Sequence, residues 1–473
     1  MGEIMRLSIG STIRVSDPTP EIVQLCKNTL TIKNPIYAKK ARMGFWIGDT
    51  PKNLTLYEKD GDDLILPYGT RGVFSDMVVD GESLSLDVEF RCNKDIDFGG
   101  KPVPLYDYQS EAVDKLIESQ YGILQSKAGS GKTQMGIALA KRYRRPVLWL
   151  THTLDLLNQS KARAEQYIDK ELIGTITGGK VEIGKGITFA TVQTMAKLDL
   201  DRYKDCWDVV IVDECHRVAG SPTTMTQFYK VLNHIAARHK FGLSATVHRA
   251  DGMIEATYAL LGHVAYTVPD EAVAEKTMPV TVCTVDTTSG ISLDCLNSDG
   301  TIAYAKMINH LCADSTRNDT IVRTISVYRD RPGLILSERL EHLRTLMSAL
   351  PPEMREQSVM ISGKMTSKRG KAEREQAIED MRNGKKKYLF ATFSLAKEGL
   401  DIPCLEVLYM TLPQKDYAVV TQAIGRVART HEGKKNPICI DFVDNGRYFQ
   451  RAFKSRVGIY RKNGCLFADG GAQ

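Results

Sequence analysis

The sequence lacks the features of a metal-built, membrane-embedded or exported chain. Its ten cysteines are scattered, and no two of them form a Cys-x-x-Cys pair, so a structural zinc site or an iron–sulfur cluster is not expected. No stretch reaches the roughly 18 continuous apolar residues that a membrane helix needs. The first residues also lack an apolar run followed by a small-residue cleavage site. We therefore expect a soluble, cytoplasmic protein with reduced thiols.

Composition and length indicate a globular protein of several domains. Of the 473 residues, 42% are hydrophobic and 25% are charged, which excludes a disordered or collagen-like chain. At roughly 100–200 residues per domain, about three domains are expected. Residues 1–100 carry 12 Lys/Arg against 15 Asp/Glu, whereas residues 361–473 carry 21 against 12. The basic C-terminal part fits a surface that faces a polyanion, although a solvated charged surface explains the same excess equally well.

Residues 1–100 are predicted to form a small, strand-rich accessory domain. Short alternating segments are separated by turn residues, as in β-hairpins; the segments are Leu54–Tyr57, Leu64–Leu66 and Leu84–Val88. Phe98–Pro102 is predicted to be a linker because it contains two consecutive glycines before a proline.

The accessory domain also contains a basic segment that runs into two aromatic residues. Lys39, Lys40 and Arg42 precede Phe45 and Trp46. Basic residues beside aromatic residues can bind phosphates and stack on exposed bases. Core positions remain the favoured interpretation for the two aromatic residues in so small a domain.

The rest of the chain is predicted to be α/β, with two tandem units that each contain a parallel sheet. Short apolar runs alternate with helical patterns, which is typical of strands buried on both faces of a sheet. The runs are 122–124, 146–150, 187–190, 209–212 and 241–243, followed by 334–336, 359–361, 388–391, 407–410 and 438–440. We expect units at 101–270 and 271–473, with the boundary near 268–279.

The segment Ser126–Thr133 has the pattern of a phosphate-binding loop between a strand and a helix. Its glycines allow backbone N–H groups to point at phosphate oxygens, with the helix N-terminus behind them; the central residues are Ala128, Gly129, Ser130 and Gly131. Lys132 would neutralise the β- and γ-phosphates, and Thr133 would supply a hydroxyl to Mg²⁺. Ser126 replaces the usual first glycine but is still small. A glycine-rich turn without a ligand is the less favoured alternative.

About 80 residues later, an apolar strand ends in two acids, Asp213 and Glu214. A carboxylate at this position beside a phosphate loop can hold Mg²⁺, and Asp213 is the candidate. Glu214 would then orient or polarise the attacking water. A turn or helix cap is the common alternative for an acidic strand end, but the upstream phosphate loop favours catalysis.

These motifs resemble those of superfamily 2 helicases over roughly residues 104–445. Five segments carry the resemblance in order: the phosphate loop, Asp213–His216, Leu243–Thr246, Ala391–Thr392 with Glu398–Pro403, and Gln422–Arg429. The size, the small N-terminal domain and the Asp-Glu-Cys-His box resemble, more narrowly, phage recombination helicases of the UvsW branch-migration type.

The resemblance implies two RecA-like lobes with ATP between them. Gln109 would read the adenine edge, although relatives often carry Arg where Tyr106 stands. Gly399 and Asp401 would approach the nucleotide from the second lobe, and Gln422 would lie near the γ-phosphate.

Two further sets of residues receive roles from the resemblance. Arg426 and Arg429 are three residues apart, so they are expected on one helix face as arginine fingers for the transferred phosphoryl group; surface salt bridges are the alternative. The segment Ser244, Ala245 and Thr246 would couple hydrolysis to movement.

Nucleic-acid strand contacts are expected from loops at the other end of each sheet. Hydroxyl and backbone N–H groups suit phosphate oxygens and carry no sequence information; the candidates are Thr151, His152, Thr191, Gln193, Ser362, Gly363, Lys364 and Thr392. Each threonine has an equal alternative as a helix N-cap. A basic helix after Lys364 could follow the phosphate backbone, although its interspersed acids equally suit a solvated face.

The resulting hypothesis is an ATP-dependent DNA helicase or translocase that unwinds or branch-migrates forked and junction DNA in recombination, repair or replication. ATP and Mg²⁺ are the expected cofactors, and DNA, bound through its backbone, is the expected partner of a monomer, together with recombination or replication proteins. An RNA helicase ranks second because the box is not Asp-Glu-Ala-Asp. A nucleotide-gated clamp without unwinding is the third alternative. A phage origin would place the protein in the bacterial cytoplasm.

Overall fold

The computed structural model describes residues 5–72, 84–127, 129–219, 222–247, 252–274, 277–363, 365, 367–397, 400 and 402–468. The chain packs as two units: the first includes Met1–Lys127 and Gly131–Pro269, and the second includes Asp270–Gln473. Within the described ranges, no helix is both long and apolar enough to cross a membrane.

In its described residues, the N-terminal region of the first unit forms a five-stranded sheet and two helices. Its elements are β1 (Met5–Ile9), β2 (Thr12–Ser16), α1 (Pro20–Thr29), β3 (Thr31–Lys33), α2 (Pro35–Arg42), β4 (Asn53–Thr55), β5 (Glu58–Asp60), β6 (Asp63–Pro67) and β7 (Leu84–Val88). The sheet order is β5-β6-β2-β1-β7, and β3 pairs separately with β4. Strands fall in all three predicted segments, but helices α1 and α2 were not predicted.

The two unpredicted helices begin with capping signals that are visible in the sequence. The side chains of Thr19 and Asn34 accept backbone N–H bonds at the starts of α1 and α2, and each helix has proline at its first position. Proline is favoured there because the first helical N–H has no partner within the helix. The dipeptides Thr19-Pro20 and Asn34-Pro35 therefore explain where both helices start.

The core of the N-terminal region is continuous with the rest of the first unit. Buried side chains of its strands and of α1 pack against four residues further along the chain, namely Ala219, Met253, Ala256 and Ala259. Lys240 is fully buried at this junction, and its Nζ donates to the carbonyls of Ser11 at 2.9 Å and Leu232 at 2.6 Å. Burial lowers the pKa of Lys240 to about 7.

The segment predicted to be a linker is packed onto the first unit. Phe98 is buried, and Gly100, at φ +65°, lies so close to the Tyr167 carbonyl that a Cβ would stand 2.5 Å from its oxygen. Lys141 Nζ donates to the carbonyls of Gly99 and Lys101 at 2.7 and 3.0 Å. The glycines therefore serve close backbone packing, and the prediction of a free linker is wrong.

The remainder of the first unit is an eight-stranded sheet with helices. It contains α3 (Asp107–Ser119), β8 (Gly122–Gln125), α4 (Lys132–Tyr143), β9 (Val147–Thr151), α5 (Leu154–Ala164), β10 (Ile173–Thr177), β11 (Lys180–Glu182), β12 (Ile187–Thr191), α6 (Val192–Met195), β13 (Val209–Asp213), α7 (Pro222–His234), β14 (His239–Ser244), α8 (Ile254–Leu261) and β15 (Val264–Thr267). The order is β11-β10-β12-β9-β13-β14-β8-β15, and every pairing except β10–β11 is parallel.

The second unit repeats this architecture with seven strands. It contains α9 (Asp270–Ala274), β16 (Thr281–Asp286), α10 (Tyr304–Ala313), α11 (Ser315–Val327), β17 (Gly333–Ser337), α12 (Leu340–Ala349), α13 (Pro352–Glu356), β18 (Ser358–Ile361), α14 (Lys368–Arg382), β19 (Tyr388–Thr392), α15 (Phe393–Lys397), β20 (Val407–Met410), α16 (Tyr417–Val427), β21 (Ile438–Val443), α17 (Arg447–Lys462) and β22 (Leu466–Phe467). The order is β18-β19-β17-β20-β21-β16-β22, all parallel. The predicted α/β class, with two parallel sheets and a strand-rich N-terminal region, is confirmed.

Candidate functional site

The phosphate loop leaves the carboxyl end of β8 and leads directly into α4. Gly129 and Gly131 have φ values of +88° and +82°, which favour glycine because other residues clash there. A Cβ on Gly131 would also stand 2.4 Å from the side-chain nitrogen of Gln109. Backbone curvature and this close approach together explain the glycine at position 131.

Lys132 and Ser126 have polar side chains that are buried in this loop. The ammonium group of Lys132 donates to the carbonyls of Ser126 at 3.1 Å and Lys127 at 3.3 Å, and the side chain is only 8% exposed. The buried Ser126 hydroxyl has no hydrogen-bond partner among the described residues. Thr133, the second residue of α4, is half-buried. Lysine and hydroxyl donors near a helix N-terminus can bind phosphate oxygens.

Gln109 connects α3 to the phosphate loop. Its Oε1 accepts the backbone N–H of Tyr106 at 3.0 Å and so caps the helix. Its Nε2 lies 3.4 Å from the Tyr108 hydroxyl. Tyr106, which stands where relatives often carry Arg, is 52% exposed and stacks on Tyr108 with ring centroids 5.9 Å apart. A flat exposed ring therefore lies close to the glutamine.

Asp213 is buried at the carboxyl end of β13. Its carboxylate accepts the Ser160 hydroxyl at 3.1 Å and the Glu214 backbone N–H at 2.9 Å. Burial, together with the charge of Glu214, raises the pKa of Asp213 to about 6, whereas the charge of Lys132 acts in the opposite direction. Lys132 and Asp213 are thus close enough to interact. Such proximity is needed if one binds phosphate and the other binds a metal ion on that phosphate.

Glu214 has a backbone conformation that is rare for its residue type. Its φ is +49°, in the left-handed region that costs a non-glycine residue of order 1 kcal/mol and that clusters at functional sites. Its Oε2 lies 3.2 Å from His216 Nδ1. The carboxylate of Glu214 therefore lies beside a histidine that is two residues further along the Asp-Glu-Cys-His box.

A hydrogen-bond chain connects this box to the segment predicted to couple hydrolysis to movement. Strand register pairs Asp213 with Leu243, which brings the two loops together. His216 Nδ1 lies 3.1 Å from the Ser244 hydroxyl, and that hydroxyl donates to the Thr246 carbonyl at 2.6 Å. Ala245 is buried between them, and the Ser244 carbonyl accepts the Ser126 backbone N–H at 3.0 Å. Acid box, coupling segment and phosphate loop are in direct contact.

Two members of this network were not proposed from the sequence. His216 lies within the quoted Asp-Glu-Cys-His box, so its position beside Glu214 could have been inferred. Ser160 lies on α5, 53 residues before Asp213, and no local pattern marks it. Only the packing of α5 on the sheet shows that it contacts the acid.

The proposed strand-contact loops of the first unit leave the same sheet edge as the phosphate loop. Thr151 ends β9 and Thr191 ends β12, both parallel to β8. Their placement at the opposite end of the sheet was therefore wrong, because parallel strands bring all their carboxyl ends to one edge. The two loops instead lie three and four strands away along that edge.

The side chains in these loops contact one another. Gln193 Nε2 donates to the His152 carbonyl at 2.9 Å and lies 3.0 Å from its Nδ1. Thr151 is fully buried and donates to the Thr153 carbonyl, whereas Thr191 contacts the Thr194 hydroxyl at 2.9 Å. Only Thr153 makes a side-chain cap bond, to Leu156 N–H at 3.3 Å.

His152 connects the strand-contact loops electrostatically to the acid box. Burial, then the charges of Arg217 and His216, lower the pKa of His152. A neutral imidazole can accept or donate one hydrogen bond at each nitrogen. A change in the charge of the acid box would therefore change the pKa of His152.

In the second unit, the predicted strand-contact residues share a cleft. Ser362 and Gly363 follow β18, and Thr392 ends β19. All three line a cleft of about 940 Å³ together with Ser394 and Arg339. The Thr392 and Ser394 hydroxyls are 2.9 Å apart and exposed. This group of hydroxyl, amide and guanidinium donors suits phosphate oxygens.

The basic helix α14 that follows this cleft carries internal ion pairs. Arg369 contacts Glu373 at 2.8 Å, and Arg382 contacts Glu379 at 3.7 Å. Exposed pairs one helical turn apart contribute little to stability. They support the solvated-face alternative for this part of the basic surface.

The two candidate arginine fingers do not lie on one helix face. Helix α16 ends at Val427 with Ala428 as its C-cap, and Arg429 forms an extended bridge with Thr277 beyond the helix. Arg426 lies in the last turn and donates to the Leu400 carbonyl at 3.1 Å. The i,i+3 expectation is wrong because the backbone leaves the helix between the two residues.

Gln422 is buried on α16, and its Oε1 has no hydrogen-bond partner among the described residues. An unpaired buried acceptor costs roughly 1–3 kcal/mol, which a functional ligand can offset.

Four other candidates, Ala128, Lys364, Gly399 and Asp401, lie outside the described residues.

Two family models match the chain in sequence. The model described as Type III restriction enzyme, res subunit, matches residues 102–249. The model described as helicase conserved C-terminal domain matches residues 316–431. The first match covers the phosphate loop and acid box, and the second covers the strand-contact cleft and both arginines.

Known proteins of similar sequence include helicases and translocases. The protein named "Probable helicase D10" of Escherichia phage T5 is 26% identical over 344 residues, which cover 72% of this chain and 72% of that protein. The DNA 3'-5' translocase XPB2 of Sulfurisphaera tokodaii is 31% identical over 175 residues, which cover 37% of this chain and 38% of that protein.

A solved structure with a TM-score above 0.5 shows the same fold. The ATP-dependent Type ISP restriction-modification enzyme LlaBIII, bound to DNA, aligns over 83% of this chain and 33% of that one, with 15% identity and a TM-score of 0.56. UvsW of phage T4 aligns over 98% of both chains, with 18% identity and a TM-score of 0.42. The two domain matches, in this order, show that this chain contains the paired domains of a superfamily 2 helicase.

Proposed function

We propose that the protein is an ATP-dependent DNA translocase that unwinds or branch-migrates forked and junction DNA. One observation carries the proposal: Lys132, Asp213 and Glu214 meet at one sheet edge, and Glu214 lies 3.2 Å from His216, which hydrogen bonds connect to Ser244 and Thr246. A cation, a buried acid and a positioned carboxylate are the groups that phosphoryl transfer to water requires.

The residues present fit a bound nucleotide and a divalent cation. Two backbone carbonyls hold the Lys132 ammonium, and these weak acceptors can be exchanged for phosphate oxygens. The raised pKa of Asp213 reflects a carboxylate that lacks compensation for its burial, and a cation would supply that compensation. Mg²⁺ held by Asp213 and Thr133 would neutralise charge on the phosphate oxygens.

Glu214 is the proposed catalytic residue for water. Its carboxylate would accept a proton from the attacking water or orient it, and His216 Nδ1 lies 3.2 Å from that carboxylate. Because His216 also contacts Ser244, a change in the hydrogen bonding of Glu214 would alter the coupling segment. This chain is our proposed route from hydrolysis to movement.

Residues of the second unit complete the proposed set. Arg426 and Arg429 would stabilise the charge that develops on the transferred phosphoryl group. The unsatisfied amide oxygen of Gln422 supports a role for this side chain near the same group, as an acceptor from water. Gly399 and Asp401 remain proposed nucleotide contacts.

The proposed nucleic-acid contacts are non-specific. His152, Gln193 and the donors of the second-unit cleft, Ser362, Gly363 and Thr392, would bind backbone phosphates, which fits a motor that acts on any sequence. DNA is preferred over RNA because of the Asp-Glu-Cys-His box and because the XPB2 relative is named a DNA translocase.

The test is ATP hydrolysis and strand displacement measured together across single-stranded, duplex, forked and four-way DNA, with matching RNA controls. Wild type should hydrolyse ATP fastest and displace strands on forked or four-way DNA. Lys132→Ala should lower stimulated hydrolysis by roughly 10²–10³-fold, since it removes a preorganised cation. Lys127→Ala, in the same loop, is the matched control and should retain activity.

Three outcomes contradict parts of the proposal. Normal turnover in Lys132→Ala would remove the ATP site from this loop. Faster displacement of RNA than of DNA duplexes would favour an RNA remodeller. Hydrolysis without strand displacement on any substrate would favour a nucleotide-gated clamp.

A further inference from the structure

Residues 35–50 form an excursion from the N-terminal region, which we call the aromatic excursion. It contains α2 and the loop that follows, and it connects strands β3 and β4. Its two ends are closed together: the Asn34 backbone N–H donates to the Lys52 carbonyl at 3.0 Å, and the Asn34 side chain donates to the Pro51 carbonyl at 2.8 Å. These hydrogen bonds therefore fix the two ends of the excursion relative to each other.

The aromatic excursion contributes no buried side chain to the core. Helix α2 has no buried residue, and every residue from 35 to 50 is exposed or half-buried. The N-terminal core is formed instead by strand residues, α1 and the contacts with the rest of the first unit. Folding of the core does not explain why this segment has the residues that it has.

The excursion nevertheless has a specified local structure. Helix α2 ends in a Schellman motif, in which Gly44 has φ +65° and the Phe45 backbone N–H donates to the Lys40 carbonyl at 3.0 Å. The Lys40 ammonium then donates to the Thr50 hydroxyl at 2.8 Å and ties the end of the loop to the helix. Such bonds hold the loop in one shape without using the core.

This shape presents large apolar side chains to solvent. Trp46 is 86% exposed, Phe45 58% and Met43 51%, so the prediction that the two aromatic residues are core residues is wrong. Gly48 has φ +52°, and a Cβ there would stand 2.7 Å from the indole ring. The indole of Trp46 therefore packs against a position where only glycine fits, and most of the surface of the indole is exposed to solvent.

The charge around the aromatic side chains is positive. Lys39 and Arg42 are exposed, and neither forms an ion pair within the described part of the chain. The aromatic excursion carries three basic residues, Lys39, Lys40 and Arg42, and one acid, Asp49. Exposed aromatic rings beside unpaired cations suit a ligand with flat apolar faces and anionic groups.

We propose that the aromatic excursion is a binding site for unpaired nucleotides, in which Trp46 and Phe45 stack on bases while Lys39 and Arg42 contact phosphates. The inference rests on the proposed function, because it gives forked DNA a contact at the unpaired bases beside the duplex. It adds base stacking to the backbone contacts of the two helicase lobes, and stacking distinguishes single strands from paired DNA.

Intrinsic fluorescence provides a direct readout of this site. The chain has three tryptophans, and Trp149 and Trp207 are 0% and 1% exposed. Titration with oligo-dT in the absence of ATP should quench Trp46 emission. Blunt duplex DNA, which has no unpaired bases, should quench it much less, and so should polyphosphate, which has charge but no bases. Oligo-U tests whether RNA supplies the same chemistry.

Affinity for fluorescently labelled oligo-dT, measured by anisotropy, separates stacking from charge. Trp46→Ala should weaken binding by roughly 5- to 150-fold, the equivalent of one lost base stack, and Phe45→Ala should act in the same direction. Lys39→Ala with Arg42→Ala should weaken binding and reduce its salt dependence. Leu293→Ala removes an equally exposed side chain, 86% in the second unit, and should change nothing. Thermal unfolding should be unaltered in all variants.

Specific outcomes would overturn the inference. These are equal quenching by blunt duplex or polyphosphate, unchanged affinity in Trp46→Ala, or a Trp46 signal that depends on protein concentration without DNA, which would indicate a second copy of the chain. Lys132→Ala keeps the excursion intact. Oligo-dT quenching in this variant together with no ATPase in wild type would refute only the proposed motor function.

Discussion

At the scale of single residues, the candidate site brings together several features that are unfavourable for folding. Glu214 has a left-handed backbone, Asp213 is buried beside another acid, and the Ser126 and Gln422 side chains bury unsatisfied oxygens. Each feature costs free energy of folding. Asp213, Glu214 and Ser126 lie near Lys132, and Gln422 lies in the segment that matches the helicase C-terminal model. Such costly features are expected where ligand binding offsets their cost.

Asp213 gives a stability prediction with a definite sign. Its folded pKa of about 6 exceeds the unfolded value of about 3.9, so the folded state binds the proton more tightly. The stability contribution is complete below pH 4 and is lost as pH rises through 6. Asp213→Asn should therefore raise the free energy of unfolding at pH 7.5, and by less at pH 5, in urea denaturation without nucleotide.

Asp208→Asn is the matched control for that measurement. Asp208 is similarly buried but accepts two hydrogen bonds from Asn93 and lies 4.0 Å from Arg145. Removal of a carboxylate that is already paired should destabilise the protein. If Asp213→Asn also destabilises it at pH 7.5, the carboxylate is compensated in the folded protein.

At the scale of elements, helix ends decide what the motifs can do. The spacing of Arg426 and Arg429 suggested one helix face, but α16 ends between them, and a bridge to Thr277 holds Arg429 in extended backbone. Arg426 instead contacts the Leu400 carbonyl. The two arginines are therefore not interchangeable, and their variants should differ.

Arg429→Ala should preserve nucleotide binding and lower turnover by roughly 10³–10⁵-fold, the range for loss of an arginine finger. Arg426→Ala should lower turnover and also reduce thermal stability, because it leaves the Leu400 carbonyl without this donor. Binding of a fluorescent nucleotide, ATPase rates and thermal unfolding give the three readouts. Arg451→Ala, on the exposed face of α17, is the control, and normal hydrolysis in Arg429→Ala would assign the finger elsewhere.

At the scale of the whole molecule, the N-terminal region is a structural part of the first unit. Its strands share a core with Ala219, Met253, Ala256 and Ala259, and Lys240 donates to the Ser11 carbonyl. The boundary near residue 100 stays a prediction from the sequence pattern, and apolar packing continues across it. The region cannot be removed without exposing apolar surface of the rest of the first unit.

Removal of residues 1–72 should therefore destabilise the remaining chain. It exposes the apolar face of α8 and leaves the buried Lys240 ammonium without one acceptor, so we expect the unfolding temperature to fall by at least about 5 °C and aggregation to increase. Replacement of residues 35–50 by a short turn is the control, and it should leave the unfolding temperature unchanged. Equal stability of the truncated protein would contradict a shared core.

The sequence by itself determined the two α/β units and supplied the residues of the proposed nucleotide site. Strand periodicity and the local Gly-x-Gly-Lys-Thr and Asp-Glu patterns depend on near neighbours, so they can be read from the chain. Tertiary packing alone decided that Ser160 contacts Asp213 and that Trp46 is exposed. Those outcomes depend on residues far apart in sequence, whose contacts no local pattern encodes.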